Sequence, residues 1–303
     1  MDPGLRKLVR EDLATHAHLK NSRGFQALLV HRFGRWRDSL SPGIRRKLLV
    51  LPYEILRRRV RSRHRMELHH TAMIGRRVRL SDLGGIVIGN ESVLGDDCVV
   101  AADVTMAKTK VGRPGRPDIG DRVVIGPGAA FVGGVRVDDD AVIGPNVVVF
   151  MDVAARTALF APEAHVEPRP ESDIRRAPER RGLAPLERRS LPVGVTLGKG
   201  VLATPSVPPR LQGIIEFGDG CLLHERVSIG WNPPYDPRPG DAPTRLGRRV
   251  ELSPGSVVLR GVSIGDDAWI GPNAVVDADV PAKMAVSCPP ARVFGGLRGH
   301  SDG

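Results

Sequence analysis

Aliphatic residues recur at every sixth position in two stretches of this chain, each followed by Gly, Asp or Asn. The first stretch contains VVIGPG at 124–129 and AVIGPN at 141–146. The second contains VSIGDD at 262–267 and AWIGPN at 268–273. The two stretches also align with each other: Cys98 to Val149 matches Cys221 to Val276 with one changed loop, DDC-VVAADVTM beside DGC-LLHERVSI and GGVRVDDDAVIGPN beside RGVSIGDDAWIGPN. Internal repetition of this kind sets the architecture ahead of any local signal. The aliphatic side chains stack inward from flat sides, and Gly, Asn and Asp supply corner angles that β-branched residues resist. Each rung is too small to bury itself and needs neighbours above and below. The pattern predicts a mainly β protein made of two tandem coils.

Outside the repeats the period changes. Phe25, Leu28, Leu29 and Phe33 follow helical spacing, as do Leu48, Leu49, Tyr53, Ile55, Leu56 and Val60 less regularly, with SPG at 41–43 breaking the two runs. Residues 1–66 therefore read as a short α-helical region and 67–166 as the first coil. Residues 191–303 read as the second coil and a tail. Between the coils, 167–190 hold four prolines and twelve charged residues, the composition of a solvated linker or a draped surface segment.

Bulk numbers add limits. The 303 residues have room for about two domains, and 4% aromatic content suits aliphatic rungs better than a sandwich or a Rossmann core. The net charge of +11 sits in one arm, because residues 1–65 carry 17 Lys+Arg against 5 Asp+Glu and the rest carry 28 against 29. Such a run meets phosphates, an acidic partner or an anionic membrane surface, or is a solvated helix face. It lacks the aromatic interleaving of a single-strand binder, so nucleic acid is not the expected partner. Cys98, Cys221 and Cys288 leave an odd thiol and no paired ligand spacing, which reads as a reducing cytoplasm without a zinc site. Cys98 and Cys221 occupy equivalent repeat positions and read as small core residues. No signal peptide or membrane span is expected, since LLVLPY at 48–53 is too short and carries a proline. Walker, dinucleotide-binding and Ser-His-Asp patterns are absent.

The repeats resemble the left-handed parallel β-helix of the hexapeptide-repeat acyltransferases, over about 74–160 and about 191–295. The first half is similar to the serine O-acetyltransferases over about 20–165. SRGFQALLVHRFGRW (22–36) resembles the segment before that family's coil, and HHTAMIGRRVRLSDLGGIVIG (69–89) its first active-site turns. VTMAKTKVGRPGRPDIGDRVVIGPGA (104–129) resembles its extended loop. The resemblance implies an acyl-CoA-dependent O-acyltransferase, moving an acetyl or related acyl group to an amino acid or similar small acceptor. It also implies a homo-trimer or dimer of trimers with sites between neighbouring coils. Acetyl-CoA or another acyl-CoA is the implied co-substrate, without metal, and an acyl carrier protein is a further candidate for the basic arm. The other reading is a catalytically diverged protein that binds coenzyme A or a metabolite, or that scaffolds an assembly.

The chain departs from the family at the chemistry. Where the family has an Asp-His pair before Gly-Ile-Val, this sequence has Ser81-Asp82. Gly115-Arg116-Pro117 occupies the place of a second histidine, and Pro233 to Pro237 lacks the histidine found in maltose and galactoside acetyltransferases. A hydroxyl nucleophile needs a proton acceptor near neutral pH, so Asp82 and His224, on a rung of the second half, are the catalytic candidates. His69 and His70 are further candidates, whereas His16, His18, His31, His64, His165 and His300 carry little weight. Ser81, Glu67 and Arg116 are candidate acceptor contacts. Lys108, Lys110, Arg113 and Arg116 crowd the extended loop, where cations suit coenzyme A phosphates or an acceptor carboxylate. Gly126, Gly128 and Ala129 are small enough for a pantetheine arm to pass, or simply satisfy the corner rule. Pro290, Ala291 and Arg292 in PPARVF resemble the ending that lies by the coenzyme A adenine.

Overall fold

The computed structural model describes residues 3–108, 114–175, 182–187, 191–205, 207–231 and 242–288. It is mainly β, with parallel sheets and few helices. From Glu67–Leu68 to Ala158–Leu159 the chain winds through short strands, nearly all bonded in parallel to the third strand before and after. These strands collect into three sheets of five, four and five. In one sheet Val87 pairs with Thr105, Thr105 with Ala130, and Ala130 with Val148. The next residue of each strand, Ile88, Met106, Phe131 and Val149, points inward and is fully buried. Hydrophobic every sixth residue thus means one inward side chain per side of a three-sided turn. The second coil repeats the scheme in sheets of seven, four and four, with its own core.

The corners carry more chemistry than expected. Asn146 and Asn273 take the left-handed conformation, with φ of 55° and 56°, as the pattern predicts. So do Arg77, Asp97, Arg122, Asp140 and Arg156 along one edge of the first coil. Arginine has no local preference for that region, where a non-glycine residue costs roughly 1–2 kcal/mol. Cross-turn ion pairs offset part of it: Arg77 bonds Asp97 at 2.5 and 2.6 Å, and Arg122 bonds Asp140 at 2.6 and 2.9 Å. The neighbouring aspartates act on the backbone. Asp96, Asp121 and Asp139 each accept the N–H of the turn before, at 2.7–2.9 Å. Cys98 and Cys221 are matched: each donates Sγ–H at 3.1 Å to a glycine carbonyl of the following turn, Gly120 and Gly247. Burial pushes the two thiols up to about 12 and about 11, so both are inert packing groups.

The segment expected as a linker is partly structured. His165–Pro168 pairs antiparallel with Met284–Ser287, and Ala184–Pro185 pairs antiparallel with Leu202–Ala203. These two strands form both edges of the second coil's largest sheet, covering rows of backbone groups that an open edge would leave unpaired. Residues 165–168 thus pair with a strand of the second coil.

The basic arm forms α1 (Pro3–Thr15), α2 (Arg23–Ser39), α3 (Ile44–Leu48) and α4 (Val50–His64). Helix α2 seats on the first coil through Ala27 and Leu28, which join its core. Arg32, buried on α2, pairs with Asp12 at 3.0 Å and donates to the carbonyls of Ile74 and Gly75. His31 donates from Nε2 to Ala72 O at 3.1 Å, and burial, then Arg32, pushes its imidazole down to about 3. Helix α4 packs through Tyr53, whose ring lies under Arg37 at 4.4 Å.

The two coils meet along a seam. Ala101 of the first coil belongs to the hydrophobic core of the second. Asn146 donates from Nδ2 to Gly255 O at 2.8 Å and Asn273 O at 3.0 Å. At the centre Arg210 donates from Nη2 to Asp103 Oδ1 at 2.6 Å, and its Nη1 lies against Oδ2. The side chains are 5% and 17% exposed. Gly85 leaves the space for this pair, because a Cβ there would sit 1.9 Å from Asp103 Oδ1, and its φ of +78° also favours glycine.

Two expected outcomes follow from these contacts. Asp103→Asn strands a buried guanidinium and lowers the unfolding free energy by about 3–5 kcal/mol, while Asp103→Leu with Arg210→Met recovers most of it; urea unfolding measures both, and an unchanged midpoint for Asp103→Asn removes the pair's structural role. His31 binds a proton in the unfolded chain below about 6.5 and in the fold only near 3. Its contribution is complete above the unfolded value and is lost as pH falls through that window, by at most about 1.4 kcal/mol per unit. Urea unfolding at stepped pH should show a shallower acid loss for His31→Gln, and an identical slope in the variant assigns the loss elsewhere.

Candidate active site at the seam between the coils

A cleft of about 680 Å³ opens where the seam meets the helical arm. Its walls are the turn after α1 (Ala14 to Leu19), the rungs Arg79 to Leu83 and Val99 to Ala101, and Gln212, Trp231 and Arg260 from the second coil. Ser81 and Asp82 stand here because the chain leaves strand Arg79–Leu80 and turns through Gly84 and Gly85, at φ of +81° and +78°. Ser81 accepts Leu83 N–H on Oγ at 3.3 Å. Asp82 Oδ1 accepts Ser22 Oγ–H at 2.6 Å and Gly24 N–H at 2.9 Å. One carboxylate oxygen thus clamps the N-terminus of α2, where orphan N–H groups favour an anion. No described residue donates to Oδ2.

His16 is the imidazole the spacing argument set aside. It lines the cleft although 64 positions separate it from Leu80, whose N–H its Nε2 accepts at 3.2 Å. Its Nδ1 lies 2.7 Å from Asp12 O, so the network places the proton on Nδ1. Both nitrogens are spoken for, which makes His16 a wall rather than a base. Gln212, Trp231 and Arg260 were also missed. Only Trp231, just before the proline-rich loop, carried a sequence signal. Arg79, Asp82 and Arg260 give the cleft two cations and one carboxylate, a set that matches a zwitterionic small molecule.

A smaller cleft of about 210 Å³ lies farther along the seam, lined by Asp103, Thr105, Gly128, Asn146, Arg226 and Asn273 among others. Of the small residues proposed for a pantetheine arm, Gly128 faces this space. Ala129 is fully buried, and a Cβ on Gly126 would meet Gly144 C at 2.7 Å, so both answer to coil stacking.

The remaining candidates are scattered. His224 is not among the residues lining either cleft; its Nε2 lies 3.3 Å from Glu251 Oε1, on the sheet edged by His165–Pro168. Glu67 pairs with Arg57 at 3.2 Å and Arg61 at 3.4 Å, which ties α4 to the first strand and leaves the carboxylate away from the cleft. His69 and His70 stack at 4.5 Å beside α2. Lys108 pairs with Glu91 at 2.9 Å on the surface, and Arg116 is exposed. Lys110, Arg113, Pro290, Ala291, Arg292 and the loop 232–241 lie outside the described residues. Among the described residues no three His, Cys, Asp or Glu side chains converge as metal ligands.

Known proteins resemble part of this chain. Residues 116–150 match the family described as bacterial transferase hexapeptide (six repeats). Serine acetyltransferase of Escherichia coli K12 is 32% identical over 152 residues, 50% of this chain and 53% of that protein. The serine acetyltransferase of Mycobacterium tuberculosis is 38% identical over 89 residues, 29% of this chain and 39% of that one. The soybean serine acetyltransferase apoenzyme is 31% identical over 53% of this chain and 67% of its own, with a TM-score of 0.45. The chain spans about half the length of the curated relatives it matches. The repeat and these matches make the chain similar to the hexapeptide-repeat transferases and, over about half its length, to serine acetyltransferases.

Proposed function

We propose that the protein is an acyl-CoA-dependent O-acyltransferase that moves an acetyl or related acyl group to an amino acid or similar small acceptor. The observation that carries this reading is the seam cleft. It joins the Ser81-Asp82 turn, which the resemblance aligns with the family's catalytic pair, to Gln212, Trp231 and Arg260 of a neighbouring coil. In the family such clefts lie between subunits; here a second coil of the same chain supplies the neighbour. The coils are read as left-handed parallel β-helices, and the cytoplasm and a homo-trimeric or larger assembly follow from the same likeness. A soybean relative is described in complex with serine, and another serine acetyltransferase in complex with CoA, which supports an amino-acid acceptor and an acyl-CoA donor.

In this reading Arg260 and Arg79 face the acceptor's carboxylate or the donor's phosphates. The acceptor oxygen attacks the thioester carbonyl, its proton passes to Asp82 Oδ2, and the C–S bond breaks with that proton going to the leaving sulfur, which releases one free thiol and restores the carboxylate. Backbone N–H groups suit the developing oxyanion. A carboxylate is intrinsically a weaker base than imidazole, so turnover is expected to be slow beside an enzyme that keeps its histidine. The second reading, a diverged binder of coenzyme A or a metabolite, is favoured by one observation: Asp82 Oδ1 is committed to α2.

The experiment is acyl transfer followed by free-thiol release, with acetyl-CoA against serine, homoserine and amino sugars. Asp82→Asn keeps the oxygen that holds α2, so thermal unfolding should shift little while turnover falls about 100-fold or more. His224→Ala should leave turnover unchanged. Acetyl-CoA binding by calorimetry without thiol release from any acceptor supports the binder; no binding at all removes both readings.

A further inference from the structure

The outward face of α3 and α4 is apolar. Ile44 and Leu48 lie one turn apart on α3 and Leu51 and Ile55 one turn apart on α4, and Leu49 between the two helices keeps right-handed helical angles, with φ of −82° and ψ of −6°. Ile44, Leu48, Leu51 and Ile55 are 78%, 69%, 69% and 56% exposed. The opposite side of α4 holds Tyr53 and Val60, both buried. This helical pair therefore has two apolar faces and covers only one of them. Lys47, Arg58 and Arg59 flank the stripe, exposed and in no ion pair among the described residues. The nearby carboxylates are spent elsewhere: Asp38 on Arg37 and Arg46, Glu54 on Arg57, and Glu67 on Arg57 and Arg61.

We propose that this face docks on an anionic lipid surface, with the aliphatic stripe at the headgroup–acyl boundary and the flanking cations against headgroup phosphates. Helices that lie in a bilayer interface combine an apolar stripe with Lys and Arg beside it, and neither signal alone anchors stably. Charge complementarity selects this occupant. With 17 Lys+Arg against 5 Asp+Glu in residues 1–65, a second copy on the same face would bring like charges together. A stripe on the outside of a helix also provides no pocket for a protein's anchor side chain, and a lipid interface requires none. No helix among the described residues is long and apolar enough to cross a membrane. The inference stands apart from the acyl-transfer reading, since these residues lie outside the cleft.

The test is co-sedimentation of the full chain with phosphatidylcholine vesicles, with and without about one third phosphatidylglycerol. Binding is expected to the anionic vesicles only and to weaken with salt. Arg58→Gln with Arg59→Gln should weaken partitioning roughly 30-fold, about five-fold for each cation. Leu48→Ser with Leu51→Ser should weaken it at least about ten-fold. Both pairs are exposed, and unchanged circular dichroism melts would show that each variant folds. Equal binding to neutral and anionic vesicles, binding to neither, or variants that bind like the parent would each overturn the proposal. So would sedimentation velocity in which the serine variant dissociates an oligomer of a parent that ignores vesicles, because the stripe would then belong to a second copy.

Discussion

A buried ion pair between the two coils, Asp103 with Arg210, is the constraint around which the molecule is arranged. Burial raises the carboxyl of Asp103 and lowers the guanidinium of Arg210 from their ordinary values, so each charge is tolerable only against the other. Such a pair adds little net stability over apolar contacts, but it specifies register. One turn of slip between the coils would leave two uncompensated charges. Gly85 belongs to the same arrangement, because any side chain there would occupy the carboxylate's position. The Gly84-Gly85 turn therefore serves the seam and also presents Ser81 and Asp82 to the cleft.

The coils themselves are held by a simpler rule. Each turn offers its backbone N–H groups to the carbonyls of the next, and aspartates such as Asp96 and Asp121 accept those that the corner leaves over. Stacked turns need small residues wherever the backbone of one approaches another, which is why Gly126 tolerates no Cβ. Rigidity of this kind suits a site built from two separate walls, since geometry at the cleft is set by rungs that do not move independently. The arm adds the third wall, and Asp82 Oδ1 is the hinge point between arm and rung.

The hexapeptide period made the coils, their inward residues and the equivalence of Cys98 with Cys221 legible, because stacking imposes one inward side chain at a fixed interval. Ser81 and Asp82 were singled out by the resemblance to serine acetyltransferases and not by the period. Arginine at the left-handed corners was not legible: Arg77 and Arg122 are there for partners on the adjacent turn, Asp97 and Asp140. His224 shares its repeat position with Ala101, yet Ala101 lies in the seam and His224 does not. Repeat position therefore fixes which way a side chain points but not what stands opposite it.

The order of residues by itself determined the repeat, the helical arm and the charge asymmetry, all of which are local or periodic properties. Which coil edge meets which face, and hence which side chains share a cleft, was decided only in three dimensions. His16 joins Leu80 across 64 positions and Arg210 joins Asp103 across 107. Contacts at such separations depend on how rigid coils dock, and docking is settled by desolvation and pairing between surfaces that no one-dimensional period records.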